Sequence, residues 1–457
     1  MTIKSGYLND LNMILATDFY QLTMGAAYYQ ENLDNMKKID DDIAVFDLFV
    51  RRLPKNRNYM IFAGLEQVIH YLQNARFTEK TIEFLRTRED FKNIDTNFFD
   101  DYLPKFKFNL DVWAIKEGNF FFPNEPIMRV QGPMFHAQLA ETYLLNVINY
   151  QTIVASKASR IKNIARDKVL LEFGTRRSHS PLAGVYAARA SYIAGFNGTS
   201  NVIADYELGI KSSGTMAHSF VQKFENEEDA FDFYYKIYGK NSILLIDTYD
   251  TENGAKIACK HGNKIYGVRI DSGDLLEHSF AVRKILDDNG CKDVKIVASS
   301  DLNEYKIKYL LDNNAPIDAF GVGTELVTSR DDPALAAVYK LVEYQDEPRI
   351  KTSEEKLTYP GKKQIYRMYD NNGLFERDIM TLEKESVPPN SEAILHLILE
   401  KGNLSNNLPD LKEIQRYYLQ NIEKLPDAYK ALEKNVEFKI EISEGLSELR
   451  KMLGSGK

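Results

Sequence analysis

The chain has 457 residues, 44% of them hydrophobic and 27% charged, with a formal net charge of −8. That is an ordinary globular composition, and the acidic excess speaks against a general nucleic-acid binder, which carries a basic footprint. No apolar run approaches the roughly eighteen residues of a membrane span, and the first residues (MTIKSGYLNDLN) lack the apolar core of a signal peptide, so a cytoplasmic protein is expected.

Residues 15–30 (LATDFYQLTMGAAYYQ) carry the apolar spacing of a helix, with Asp18 near its start, where a carboxylate suits the helix dipole. Residues 43–50 (IAVFDLFV) read as a strand and 59–72 as a second helix. Residues 108–112 and 120–123 read as strands of a β-rich segment that ends at Gly132-Pro133. A helical stretch then begins at Leu139.

Between residues 169 and 325 six segments each begin as a short apolar run and end in a small polar cluster. Residues 169–173 (VLLEF) run into Gly174-Thr175-Arg176-Arg177, and 195–197 into Gly198-Thr199-Ser200. Residues 243–246 (ILLI) lead to Asp247-Thr248-Tyr249-Asp250, and 265–270 (IYGVRI) to Asp271-Ser272-Gly273-Asp274. Residues 294–298 (VKIVA) end in Ser299-Ser300-Asp301, and 319–322 (AFGV) in Gly323-Thr324-Glu325. Short apolar runs bounded by turn residues read as buried parallel strands. Polar groups placed after successive strands mark one rim as the working face. Helices at 181–194, 227–238, 252–259, 275–289 and 303–313 separate the runs, which implies right-handed crossovers. The expected fold is therefore α/β, an irregular (β/α) barrel. A dinucleotide-binding sheet is disfavoured because no GxGxxG opens the series.

Beyond residue 335 the pattern changes to strands at 338–344 and 364–369 and helices at 410–424 and 427–433. The terminal Gly454-Ser455-Gly456-Lys457 imitates half a P-loop without a following helix and reads as a flexible tail. The expected division is an N-terminal α+β domain at 1–135 with a contribution from the C-terminal segment, a catalytic α/β barrel at 136–345, and a partly helical segment at 346–457. Cys259 and Cys291 are distant in sequence, lack histidine in metal spacing, and read as reduced thiols.

Of seven histidines, His218 stands out in Gly214-Thr215-Met216-Ala217-His218-Ser219-Phe220, with small residues before it and a hydroxyl after. A lone histidine is most often a satisfied structural group, and that reading stands for His70, His136, His179, His261, His278 and His396. Arg176, Arg177 and Arg269 bring cations to the rim, where guanidinium forks match carboxylates and phosphates. Asp271 and Asp274 flank Ser272-Gly273, either as a plain turn or as carboxylates for ribose hydroxyls, a substrate nitrogen or magnesium. Gly321, Gly323 and Thr324 can offer backbone N–H groups and a hydroxyl to a phosphate at the last strand.

Together the strings LATDFYQLTMG (15–25), EFGTRRSHSPLAGVY (172–186), GFNGTSNV (195–202), GTMAHSF (214–220), LLIDTYDT (244–251), GVRIDSGD (267–274) and FGVGTE (320–325) resemble the nicotinate phosphoribosyltransferase family. The resemblance spans about residues 10 to 385. It implies the type II phosphoribosyltransferase fold, a homodimer with shared active sites, and synthesis of nicotinate mononucleotide and pyrophosphate from nicotinate and phosphoribosyl pyrophosphate. Hydrolysis of ATP, with Mg2+, is implied as the coupled reaction. By the same resemblance Phe173 and Tyr20 sandwich the pyridine ring, Tyr20 coming from the partner subunit. Arg269 stands near the ring substituent, Arg176 on the pyrophosphate side, and Asp271 on the base and ribose side. Asp301 is a weaker candidate for the ribose hydroxyls, while Gly321, Gly323 and Thr324 hold the 5′-phosphate. His218 is the histidine that ATP phosphorylates, and Asp247 fixes its tautomer by a hydrogen bond to the other ring nitrogen.

Nicotinamide phosphoribosyltransferase shares this architecture, but has an aspartate matching Ser200. A serine beside Arg269 favours a carboxylate over a carboxamide. A quinolinate enzyme would need a denser cluster of cations. A catalytically silent binding relative would be suggested by loss of His218 or Asp271, and both are present.

Overall fold

The computed structural model describes residues 8–351, 358–433 and 436–455. The chain divides into two compact units, Met1–Thr152 with Ala334–Lys457, and Ile153–Pro333. The division falls inside the helix Met134–Ala165.

The second unit holds the six expected strands: β1 (Val169–Glu172), β2 (Gly198–Thr199), β3 (Ile243–Leu245), β4 (Gly267–Ile270), β5 (Lys295–Ala298) and β6 (Ala319–Val322). They form one sheet in the order β2-β1-β6-β5-β4-β3, and every pairing is parallel. Leu170, Leu244, Val268, Ile270, Ile296 and Phe320 are completely buried, as the short, mainly apolar runs lead one to expect. β2 and β3 are the two edges, so strand pairing does not close the barrel. The segment after β2 instead adds one bridge, Thr199 to Ser212.

The polar clusters that follow the strands have two jobs. Many of their residues cap the next helix, accepting hydrogen bonds from its first free N–H groups. Asn201 accepts from Ala204 N, Asp250 from Asn253 N, Asp274 from Leu276 N and Glu277 N, and Asn303 from Tyr305 N and Lys306 N. Asp274 is thus a helix cap, which settles its reading in favour of the turn.

The first unit is built round an antiparallel sheet in which Ile43–Val50 lies between Pro126–Pro133 and Ala337–Tyr344. Its first long helix starts at Phe19, because Asp18 is still extended. The helix expected over 59–72 begins only at Leu65. Gly64, at φ 109°, breaks the chain there, and Met60–Ile61 pairs with Phe120–Phe121. Strands Phe375–Leu382 and Ile440–Ile442 and the helix Glu444–Ser455 escaped the sequence reading. Gly454 and Ser455, read as tail, end that helix, while Gly456 and Lys457 lie outside the described residues.

His136 is a satisfied core histidine in the first unit. Asn109 N donates to its Nδ1 at 3.0 Å, Tyr102 Oη lies 3.1 Å from Nε2, and burial pushes its pKa down to about 4. Cys259 and Cys291 are free thiols. Far apart in sequence, they are neighbours in space: burial, with Cys291 second, pushes the Cys259 thiol up to about 12. Among the described residues no helix is long and apolar enough to cross a membrane.

Candidate active site

The C-terminal ends of β1, β2, β4, β5 and β6 open into one cleft of about 410 Å³, together with the segment that leads to His218. Phe173, Arg176, Ser200, Arg269, Asp271, Asp301, Gly321, Gly323 and Thr324 line it, with Arg177 alongside. All come from the second unit. Tyr20 belongs to the first unit, where it is 47% exposed on its helix.

Arg269 organises the centre. Side chains two residues apart on a strand share a face, so Arg269 and Asp271 leave β4 together and pair, Nη2 to Oδ1, at 2.8 Å. The Nε of Arg269 donates to Ser299 Oγ at 2.9 Å and its Nη1 to Thr215 Oγ1 at 2.8 Å. Ser299 Oγ in turn donates to Asp271 Oδ1 at 2.5 Å. Burial alone would raise the Asp271 pKa, but the Ser299 hydrogen bond and the Arg269 charge outweigh it, and the carboxyl is held below its usual range. Asp271 is ionised at neutral pH.

The Phe173 ring faces Arg269, whose guanidinium carbon lies 5.9 Å from the ring centroid. Room for that ring comes from Gly321: a Cβ there would sit 2.4 Å from Phe173 Cδ2. At β5 the rim is strained. Ser300 has φ 98° and Asp301 φ 41°, a region that non-glycine residues rarely occupy.

His218 begins the short helix His218–Gln222 and lies at the edge of this group. Its Nε2 is 4.0 Å from Asp271 Oδ2. The expected Asp247 to His218 hydrogen bond is not made. Thr248 Oγ1 meets His218 Nδ1 at 3.1 Å, one residue further along the same rim loop. Asp247 is turned to the neighbouring strand end, where its Oδ2 accepts from Asp271 N at 2.9 Å and Ser272 Oγ at 2.5 Å. Its Oδ1 is buried and has no hydrogen-bond partner among the described residues. Asp247 therefore braces the Asp271 turn.

Thr248, Thr215, Ser299 and Glu172 were given no roles by the sequence reading. All four stand within strings it singled out, but the three small hydroxyl residues look alike in sequence whether they cap, turn or bind, and Glu172 is hidden within an apolar run.

A parallel α/β sheet with arginines, a low-pKa carboxylate and glycine-lined backbone at one rim defines an enzyme class: an α/β-sheet enzyme built to hold an anionic substrate. Three family models cover the chain: the nicotinate phosphoribosyltransferase N-terminal domain at residues 15–149, the nicotinate phosphoribosyltransferase family at 169–371, and the C-terminal domain at 389–450. The chain belongs to the nicotinate phosphoribosyltransferase family. It is 39% identical to nicotinate phosphoribosyltransferase of Bacillus subtilis, over 97% of this chain and 95% of that protein. It is 41% identical to a Mycobacterium tuberculosis nicotinate phosphoribosyltransferase, over 92% and 89%. The crystal structure of human nicotinic acid phosphoribosyltransferase matches with a TM-score of 0.84 at 26% identity, over 96% of this chain and 99% of that one. Nicotinate-nucleotide pyrophosphorylase from Pyrococcus furiosus matches with a TM-score of 0.75, also at 26% identity.

Proposed function

We propose that this chain joins nicotinate to 5-phosphoribosyl 1-pyrophosphate, giving nicotinate mononucleotide and pyrophosphate, the first step of NAD synthesis from nicotinate. The observation that carries the reading is the convergence of Phe173, Ser200, Arg269 and Asp271 with the Gly321–Thr324 rim in one cleft of a chain from this family. The pyridine stacks on Phe173, an interaction of a kind worth roughly 1–3 kcal/mol per ring. In the proposed homodimer Tyr20 of the second copy covers the other face. The base carboxylate takes the N–H groups that Arg269 has left. Gly323 and Thr324 hold the 5′-phosphate, Arg176 the pyrophosphate, and Asp271 with Asp301 the ribose side. The ring nitrogen brings its own lone pair to the anomeric carbon as the bond to pyrophosphate breaks, so no general base is required.

Coupling to ATP is part of the proposal. Pyrophosphate is already a good leaving group, so ATP acts on binding or on the overall equilibrium. With Nδ1 held by Thr248, the Nε2 of His218 is the nitrogen free to attack the γ-phosphorus; the bond to ADP breaks and ADP leaves. Among the described residues no three His, Cys, Asp or Glu side chains are grouped to hold a metal. Magnesium would be held by Asp271 and Asp301, which line the cleft, and Asp247, whose buried Oδ1 has no hydrogen-bond partner among the described residues, is the further carboxylate beside the Asp271 turn. When bound it neutralises charge on the diphosphate. A cytoplasmic location completes the reading.

One assay tests it: pyrophosphate release with nicotinate, nicotinamide or quinolinate, each with and without ATP. Nicotinate is expected to be preferred and stimulated by ATP. Preference for nicotinamide favours the neighbouring specificity, and no turnover of any base marks a silent relative.

A further inference from the structure

Glu172 ends β1 and is completely buried. A carboxylate in such a place is costly unless its oxygens are met. Two donors meet them: the Gly174 N–H, and the Thr199 hydroxyl at 2.5 Å. Burial pushes the carboxyl pKa up, and the bonds from Thr199 and Gly174 offset only part of that rise. The carbonyl of Glu172 also accepts from Ser200 N at 2.8 Å.

The groups tied together here all belong to the base end of the cleft. Phe173 lies between Glu172 and Gly174, so the carboxylate closes a loop round its backbone, and Phe173 N is held by Val322 O at 2.8 Å. Thr199 is one of only two residues in β2, an edge strand. So short a strand gives few ladder bonds with which to fix its register. Thr199 relays the constraint outward: its Oγ1 accepts from Asn201 N at 3.0 Å and its carbonyl from Ser213 N at 2.8 Å. Ser200 and Ser213 both line the cleft.

We propose that Glu172 is a positioning residue for the base slot, its carboxylate locking the Phe173 turn of β1 to the Thr199 edge and so fixing where Phe173 and Ser200 meet a planar pyridine carboxylate. The proposal rests on the nicotinate reading above. A glutamine there could keep the Gly174 bond through its oxygen, but its NH2 would then face the Thr199 hydroxyl, reversing that bond and removing the charge.

The test is steady-state kinetics on full-length wild type, Glu172→Gln, Thr199→Val, Thr199→Ser and the Glu172→Gln/Thr199→Val pair. Glu172→Gln and Thr199→Val should each raise KM for nicotinate by about tenfold, as loss of a charged hydrogen bond would, with KM for phosphoribosyl pyrophosphate and kcat changed by less than about threefold. Thr199→Ser, which keeps the hydroxyl, should restore the wild-type value. The double variant should be no worse than the more severe single one, because the Glu172–Thr199 bond is lost in both. Equal losses for both substrates, unchanged KM for nicotinate in folded variants, or fully additive effects would overturn the proposal. A wild-type chain that does not turn over nicotinate overturns the functional reading itself, a failure visible before any variant is compared.

Discussion

Arg269 is not a free cation: at 2.8 Å it is already paired with Asp271, the first residue after β4. Thr215 and Ser299 take two further N–H groups, so three of the five guanidinium donors are committed and two are left for a ligand. A guanidinium so fixed loses little freedom when it binds. Its selectivity then comes from direction as well as charge.

Arg269→Ala should therefore lower kcat/KM for nicotinate severely and shrink its preference over nicotinamide by roughly ten- to a hundredfold, the range of a buried charged hydrogen bond. Arg269→Lys should recover little, since an ammonium cannot reach Thr215, Ser299 and Asp271 at once. Ser200→Asp should penalise nicotinate more than nicotinamide by placing negative charge near the carboxylate. Paired kcat/KM values for the two bases check all three, and equal losses for both bases would contradict the assignment.

The histidine partner observed here changes what mutagenesis should find. His218→Ala is expected to abolish ATP hydrolysis and its stimulation of transfer, leaving slow ATP-independent transfer. Thr248→Val removes the contact to Nδ1 and should reduce ATP-dependent labelling of His218, as acid-labile phosphate, by about tenfold. Asp247→Asn should instead affect transfer with and without ATP alike, because Asp247 braces the Asp271 turn. Label on another histidine would end the proposal for His218.

Gly321→Ala puts a methyl group 2.4 Å from the Phe173 ring. Overpacking of this sort commonly costs about 1–3 kcal/mol. The ring must move, so KM for nicotinate should rise at least several-fold while the fold survives, as melting and turnover measured together would show. An unchanged KM would mean that Phe173 does not stack on the base.

Glu227 yields a pH prediction. Burial first, then the charges of Asp247 and Asp250, pushes its pKa from 4.5 up to about 7, and its buried Oε1 has no hydrogen-bond partner among the described residues. Between those values the folded chain keeps a proton that the unfolded chain has released. Stability from this group is thus complete below pH 4.5 and lost as pH rises through 7. In Glu227→Gln the fall in melting temperature from pH 5 to pH 8 should be smaller by roughly a few degrees. An unchanged difference would show that Glu227 does not titrate in that window.

The six parallel strands were legible because each is a short, mainly apolar run ended by turn residues, a pattern that burial on both faces produces. The cleft was legible for a related reason: Phe173, Arg176, Ser200 and Thr324 each end or follow such a run, and Arg269 is the one cation inside its own. What was hidden is partner choice. Asp247 and Thr248 are adjacent, and only the direction of each side chain decides which reaches His218. Asp274 read equally well as ligand or cap, since the same short carboxylate serves both. Beyond residue 360 the strand expected at 364–369 is present as Lys363–Tyr369, while Phe375–Leu382 was obscured by charge, the buried Asp378 standing where a core strand would ordinarily be apolar. Arg367 and Asp378 satisfy one another at 2.6 Å, a pairing that joins two strands and that no local window can reveal.

The first unit is assembled from two stretches of chain, with Ala44 paired to Tyr344 and Val50 to Ala337 across the same sheet. This fixes an order of events during synthesis. By the time residue 333 has left the ribosome, all six parallel strands of the second unit are available to pair with one another. Ile43–Val50, made long before, still lacks the neighbour on one of its sides. Until Ala337–Tyr344 emerges, that edge is an unprotected template, and a nascent chain stalled in this interval is the species most open to aggregation.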